Sequence, residues 1–103
     1  MGLSNQNVIP QVRSLYQFIC DNYKMHIISG QQEGLWDGSE QTEFEYIEKV
    51  TGKLPAIRGL DFMADDFEGS VRRAKEWHAR GGIVSICWHC GPDFTKGYTE
   101  SQQ

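Results

Sequence analysis

Apolar residues recur at Val8, Val12, Leu15, Tyr16, Ile19 and Tyr23, the three-and-four spacing of a helix with one apolar face. Pro10 fits such a helix only in its first turn. The apolar run from Met25 to Ser29, closed by Gly30, reads as a strand, and residues 31–38 form a polar, glycine-containing loop. Ser39 is a candidate helix N-cap, and the stripe Phe44, Ile47 and Val50, ending at Gly52, predicts a second helix over 40–51. Leu54 to Phe62 is the next extended segment. A third helix, capped by Asp65 or Asp66, runs through Ala79 with Val71, Ala74 and Trp77 as its buried face. Gly81 and Gly82 stop it, and Ile83-Val84-Ser85-Ile86 then reads as a strand buried on both faces.

The order helix, strand, helix, strand, helix, strand calls for an α/β fold. Strands joined through helices of a dozen residues or so run parallel with right-handed crossovers, so their carboxyl ends share one edge, where such folds bind ligands. With 103 residues the chain holds a single domain, read as an ordered core over 8–90 and a loop or disordered tail over 91–103.

Composition narrows the partners. Hydrophobic residues at 39%, charged residues at 23% and twelve aromatics are those of a folded domain. The net charge of -4 and the lack of a basic run exclude an electrostatic surface for nucleic acid or anionic membrane; a polar or uncharged partner fits better. No apolar stretch approaches the roughly 20 residues of a membrane span. Residues 1–6 show neither a secretory signal nor the Ser or Thr at position 6 of a myristoylation signal, so localisation stays open. Three cysteines, Cys20, Cys87 and Cys90, make no disulfide framework.

The candidate chemistry lies at strand ends. Cys87-Trp88-His89-Cys90 has the C-x-x-C spacing of a redox pair or half a zinc site. Residues three apart on a strand point to opposite faces, so the two thiols converge only if the chain turns between them, as the following Gly91-Pro92 allows. A zinc site needs further ligands, and the histidines on offer are His26, His78 and His89. The alternative makes Cys87 a small core residue, and no metal or cofactor is expected. His89 shares a face with Cys87 and Ser85, either as a hydrogen-bonding group in a cleft or as a surface histidine capping a loop. Asp61 closes the second strand, as a ligand contact, a partner of Arg58 or a cap for the next helix. Gln31 and Gln32 bind a polyol or satisfy loop backbone, and Trp36 offers a stacking face or packs over the core.

The successive motifs carry a family resemblance. Ile28-Ser29-Gly30-Gln31-Gln32, then Tyr46-Ile47 with Thr51-Gly52-Lys53-Leu54-Pro55-Ala56-Ile57-Arg58-Gly59-Leu60-Asp61-Phe62-Met63, then Ala74-Lys75-Glu76-Trp77, Gly81 to His89 and Tyr98-Thr99-Glu100 together resemble the opening of a glycoside hydrolase family 26 domain, the β-mannanase family. The resemblance covers about residues 8 to 100. It implies the first three strand-helix units of a (β/α)8 TIM barrel, an enzyme fold of about 250 residues. It also implies hydrolysis of β-1,4-mannan or related β-glycans with retention by two glutamates, one after the fourth strand and one after the seventh. No residue here matches either, so the chain is expected to be an inactive amino-terminal fragment of a mannanase from a family whose members are usually secreted. His89 corresponds to the family's strand-three histidine beside the sugar subsite adjoining the cleaved bond, with Trp88, Asp61 and Gln32 as supports of the same substrate-binding cleft. Cys90 stands where an aromatic or small residue is more usual. The open strand edges of a cut barrel predict self-association. The alternative reading is a small thiol-redox or interaction module using Cys87 and Cys90.

Overall fold

A computed structural model of the chain describes residues 2–34, 39–62 and 66–90. Its elements are α1 (Pro10–Asn22), β1 (Gly30–Gln32), α2 (Thr42–Thr51), β2 (Ile57–Asp61), α3 (Phe67–Ala79) and β3 (Ile83–Cys87). The strands form one parallel sheet in the order β1-β2-β3, with Gln32 level with Gly59, Gly59 with Ser85 and Asp61 with Cys87. The α/β architecture expected from the apolar pattern is present in that order. The readings made for Trp36, Asp65 and the tail 91–103 lie outside the described residues.

Local chemistry explains where the helices start and stop. Pro10 occupies the first turn of α1, and α2 ends on Gly52, whose φ of 70° is the left-handed conformation that favours glycine. Ser39 lies two residues before the cap position: its hydroxyl accepts from the Gln41 N–H at 3.3 Å. Asp66 caps α3 as expected, accepting from the Gly69 N–H at 3.0 Å. Gly82 sits where a Cβ would collide with the Trp77 indole, so the chain can turn from α3 into β3 only with glycine there.

The core lies between β2 and the helices. Leu60 is fully buried from β2, Phe44 reaches it from α2 and Trp77 from α3, with the two rings 5.3 Å apart edge to face. The indole N–H of Trp77 donates to the Ala56 carbonyl at 3.3 Å, tying α3 to the start of β2.

Four expectations change. The first strand is Gly30–Gln32, and the apolar run before it is solvated, with Ile27 at 98% exposure. Helix α1 buries none of its residues; Val12, Leu15 and Phe18 line an open groove of about 630 Å³ with Ala74, Gly82 and Ile83. On α3 the buried residues are Ser70, Arg73 and Trp77, while Val71 is exposed. Strand β3 is exposed over Ser85, Ile86 and Cys87, because it is an edge strand of a three-stranded sheet with no described element covering its far side.

Candidate functional site

Successive residues of a strand face opposite sides, and that alternation sorts the carboxyl ends of these three strands. Arg58 and Leu60 of β2 turn toward the helices, so Gly59 and Asp61 face the other side, together with their register partners Gln32, Ser85 and Cys87. The side chain of Gln32 lies across Gly59, which has no Cβ to obstruct it. Just past β3, His89 comes back over the end of β2.

Asp61 and His89 form the centre of this face. The Asp61 carboxylate accepts from the His89 backbone N–H at 3.3 Å through Oδ1, and its Oδ2 lies 2.5 Å from Nδ1 of the ring. Asp61 is buried, whereas the His89 side chain is 64% exposed. An ionised carboxylate only accepts, so Nδ1 is the donor in this pair, and Nε2 belongs to the rest of a largely exposed ring outside it. Beside them the Cys87 thiol donates to the Leu60 carbonyl at 3.5 Å. Partial desolvation, then the neighbouring Asp61 carboxylate, pushes the pKa of this largely exposed thiol up. Cys20, Cys87 and Cys90 are all free thiols.

The second cluster lies on the opposite face, among the helices. Glu33, immediately after β1, has a side chain with no exposure and receives Arg58 Nε at 2.7 Å and Arg73 Nε at 3.0 Å on one oxygen. Arg73 Nη2 reaches its other oxygen at 3.2 Å. The Arg58 guanidinium stacks 4.3 Å above the Phe44 ring and also donates to Gln41 Oε1 and the Glu40 carbonyl. Arg73 donates to Asp66 and Ser70 as well. Burial alone would lower the Arg73 pKa, but Glu33 and Asp66 outweigh it and raise it. This network fixes the end of β1 to β2, α2 and α3, and so sets the position of Gln32 beside the Asp61 face.

The sequence-predicted residues are thus distributed unevenly. Gln32, Asp61 and His89 share one face. Trp88 turns to the other side and packs on Phe67 at the start of α3, 6.1 Å between ring centres. Of the three roles open to Asp61, pairing with Arg58 does not occur, since Arg58 is on the opposite face with Glu33, and the cap of α3 is Asp66. Gln31 turns back to donate to the Gln32 carbonyl. The sequence reading missed Glu33 and Arg73. A signal existed for Arg73, because Ser70, Arg73 and Trp77 stand at three-and-four spacing, which puts a charge within a buried stripe.

A parallel sheet with interposed helices and polar side chains gathered beyond its strand ends defines the strand-helix class of α/β proteins that bind ligands at that edge. The chain belongs to glycosyl hydrolase family 26, which it matches over residues 4–102. It is 32% identical over 98 residues to a mannan endo-1,4-beta-mannosidase of Thermothelomyces thermophilus, an alignment covering 85% of this chain and 18% of that protein. In structure it resembles a ruminal GH26 endo-beta-1,4-mannanase with a TM-score of 0.78 and 36% identity, over 98% of this chain and 24% of that one. A beta-mannanase from a symbiotic protist of the termite Reticulitermes speratus, solved with a gluco-manno-oligosaccharide, matches 86% of this chain and 32% of its own at 30% identity and a TM-score of 0.67. The chain spans less than a fifth of the length of the curated relative, and its three strand-helix units correspond to the amino-terminal part of the TIM-barrel mannanases.

Proposed function

We propose that this chain is the amino-terminal portion of a retaining endo-β-1,4-mannanase, that it supplies part of the sugar-binding edge of the barrel, and that it is inactive by itself. The observation that carries the reading is His89, at the carboxyl edge of a family 26 sheet, held at Nδ1 by the buried Asp61 with most of its ring exposed. In this role Nε2 accepts a hydrogen bond from a mannose hydroxyl, and Asp61 is a positioning residue that acts through the ring. Gln32 offers an amide to the same face, and Trp88 backs the β3 end against Phe67.

Inactivity follows from the carboxylates. Retention needs two carboxyl groups about 5 to 5.5 Å apart across the scissile bond, one free to donate a proton and one free to attack. At the described strand ends, Glu33 is enclosed by Arg58 and Arg73, and Asp61 is engaged with His89. Neither is available, and they face opposite sides of the sheet. Incubation of the purified 103-residue chain with β-1,4-mannan is expected to release no reducing ends above the blank; sustained release that co-purifies with the chain contradicts the proposal.

A further inference from the structure

Asp61, Cys87 and His89 bring a carboxylate, a thiol and an imidazole together at the strand ends, with their ligand atoms all within 4.8 Å of one another. These are three chemically different donors from two adjacent strands, converging on one side of the sheet. Among the described residues this is the grouping able to share an ion, and the fourth spacing residue, Cys90, takes no part in it. In this grouping the neighbour of Cys87 is Asp61, its register partner on the adjacent strand.

We propose that Asp61, Cys87 and His89 form a site for a soft divalent cation of the Zn2+ type, with three protein ligands and a fourth position open to solvent. Sulfur and imidazole nitrogen select such an ion over Mg2+ or Ca2+, which take oxygen ligands. Tetrahedral coordination at about 2.0–2.3 Å places neighbouring ligand atoms about 3.3–3.6 Å apart. The cluster is near that size, and the 2.5 Å contact between Asp61 and His89 has to open by about 1 Å. The exposed His89 ring has room for this movement, and Cys87 gives up a long hydrogen bond to the Leu60 carbonyl. On binding, the thiol proton leaves to solvent, the imidazole proton moves from Nδ1 to Nε2, and the carboxylate turns from the ring to the ion. The site rests on these distances and not on the sugar-binding role, with which it competes: an ion at Nδ1 puts the ring proton on Nε2 and removes the acceptor offered to a hydroxyl.

The test is titration of the metal-free 103-residue chain with Co2+ in the presence of a non-coordinating reductant. A thiolate-to-cobalt charge-transfer band with the visible bands of a four-coordinate ion is expected, bleached by one equivalent of Zn2+. Cys87→Ser abolishes the charge-transfer band and Asp61→Asn weakens binding at least about tenfold, the scale found for loss of even an outer-shell partner. Cys20→Ser and Cys90→Ser leave both unchanged. A readout needing no variant is nitrogen NMR of the wild-type chain, in which Zn2+ moves the His89 ring proton from Nδ1 to Nε2. Absence of the band, its survival in Cys87→Ser, its loss in Cys90→Ser, or an unmoved His89 proton overturns the proposal.

Discussion

Replacing Glu33 by Gln keeps the shape of the side chain and removes the charge that two buried arginines share. Breaking a buried ion pair by neutralising one partner costs about 3–5 kcal/mol, because the remaining charge stays desolvated. Here the lower end applies. Arg58 keeps Gln41, the Glu40 carbonyl and the Phe44 face, and Arg73 keeps Asp66, whose exposed carboxylate offsets at most about 1 kcal/mol. A loss of about 3 kcal/mol is a large share of the roughly 5–15 kcal/mol by which a domain of this size is stable. With a urea slope of about 1–3 kcal/mol/M, it lowers the unfolding midpoint by about 1–3 M. Urea titration at low protein concentration, followed by tryptophan fluorescence and far-ultraviolet circular dichroism, measures it. The internal comparison is Arg72→Ala, which breaks the exposed Arg72–Glu76 pair and shifts stability by no more than about 0.5 kcal/mol. Equal midpoints for Glu33→Gln and Arg72→Ala refute the reasoning.

Three further outcomes follow from the geometry. Asp61→Asn removes the ionised acceptor that holds the His89 proton on Nδ1; nitrogen NMR is expected to show that single tautomer in the wild-type chain and a mixture in the variant, and an unchanged tautomer contradicts the assignment. The Asp66 carboxyl is held below the ordinary carboxylate range by its hydrogen bond from Arg73 and then by the Gly69 N–H. Its stabilisation is thus fully present above about pH 4 and lost as pH falls toward the lowered folded value, so Asp66→Asn should flatten the fall in urea midpoint between about pH 5 and pH 3, and an unchanged slope counts against it. Among the described residues β1 and β3 are each paired on one side only; with the exposed stripe of α1 this predicts an apparent mass that rises with concentration in sedimentation, whereas a stable, cooperatively unfolding monomer contradicts self-association.

The apolar periodicity was enough to place all three helices and the last two strands, because each has either a stripe of its own or a stop such as Gly52 or Gly82. It misplaced β1, since Gly30, Gln31 and Gln32 carry no apolar signal and become a strand only by pairing with Ile57, Arg58 and Gly59. It also overstated burial for α1 and β3, whose apolar residues describe a surface suited to being covered and are exposed in this three-stranded sheet. At the site, the position of His89 was legible from alternation along β3. Its bond to Asp61 was not, because that contact joins residues 28 apart in the chain and depends on the register between two strands. The Glu33 cluster was hidden for the same reason: its three charges lie 25 and 40 residues apart and read as solvated until the fold joins them.

In the proposed function this segment supplies part of the sugar-binding edge of a family 26 mannanase through His89. That role is tested most directly by exchanging the chain for the corresponding segment of the ruminal endo-mannanase it resembles and measuring kcat/KM on β-1,4-mannan. The chimera is expected to hydrolyse mannan, and its His89→Ala version, equally folded by circular dichroism, to lose at least about tenfold in kcat/KM, the loss of about 1.4 kcal/mol expected for one transition-state hydrogen bond. A folded, active chimera whose kcat/KM is untouched by His89→Ala contradicts it.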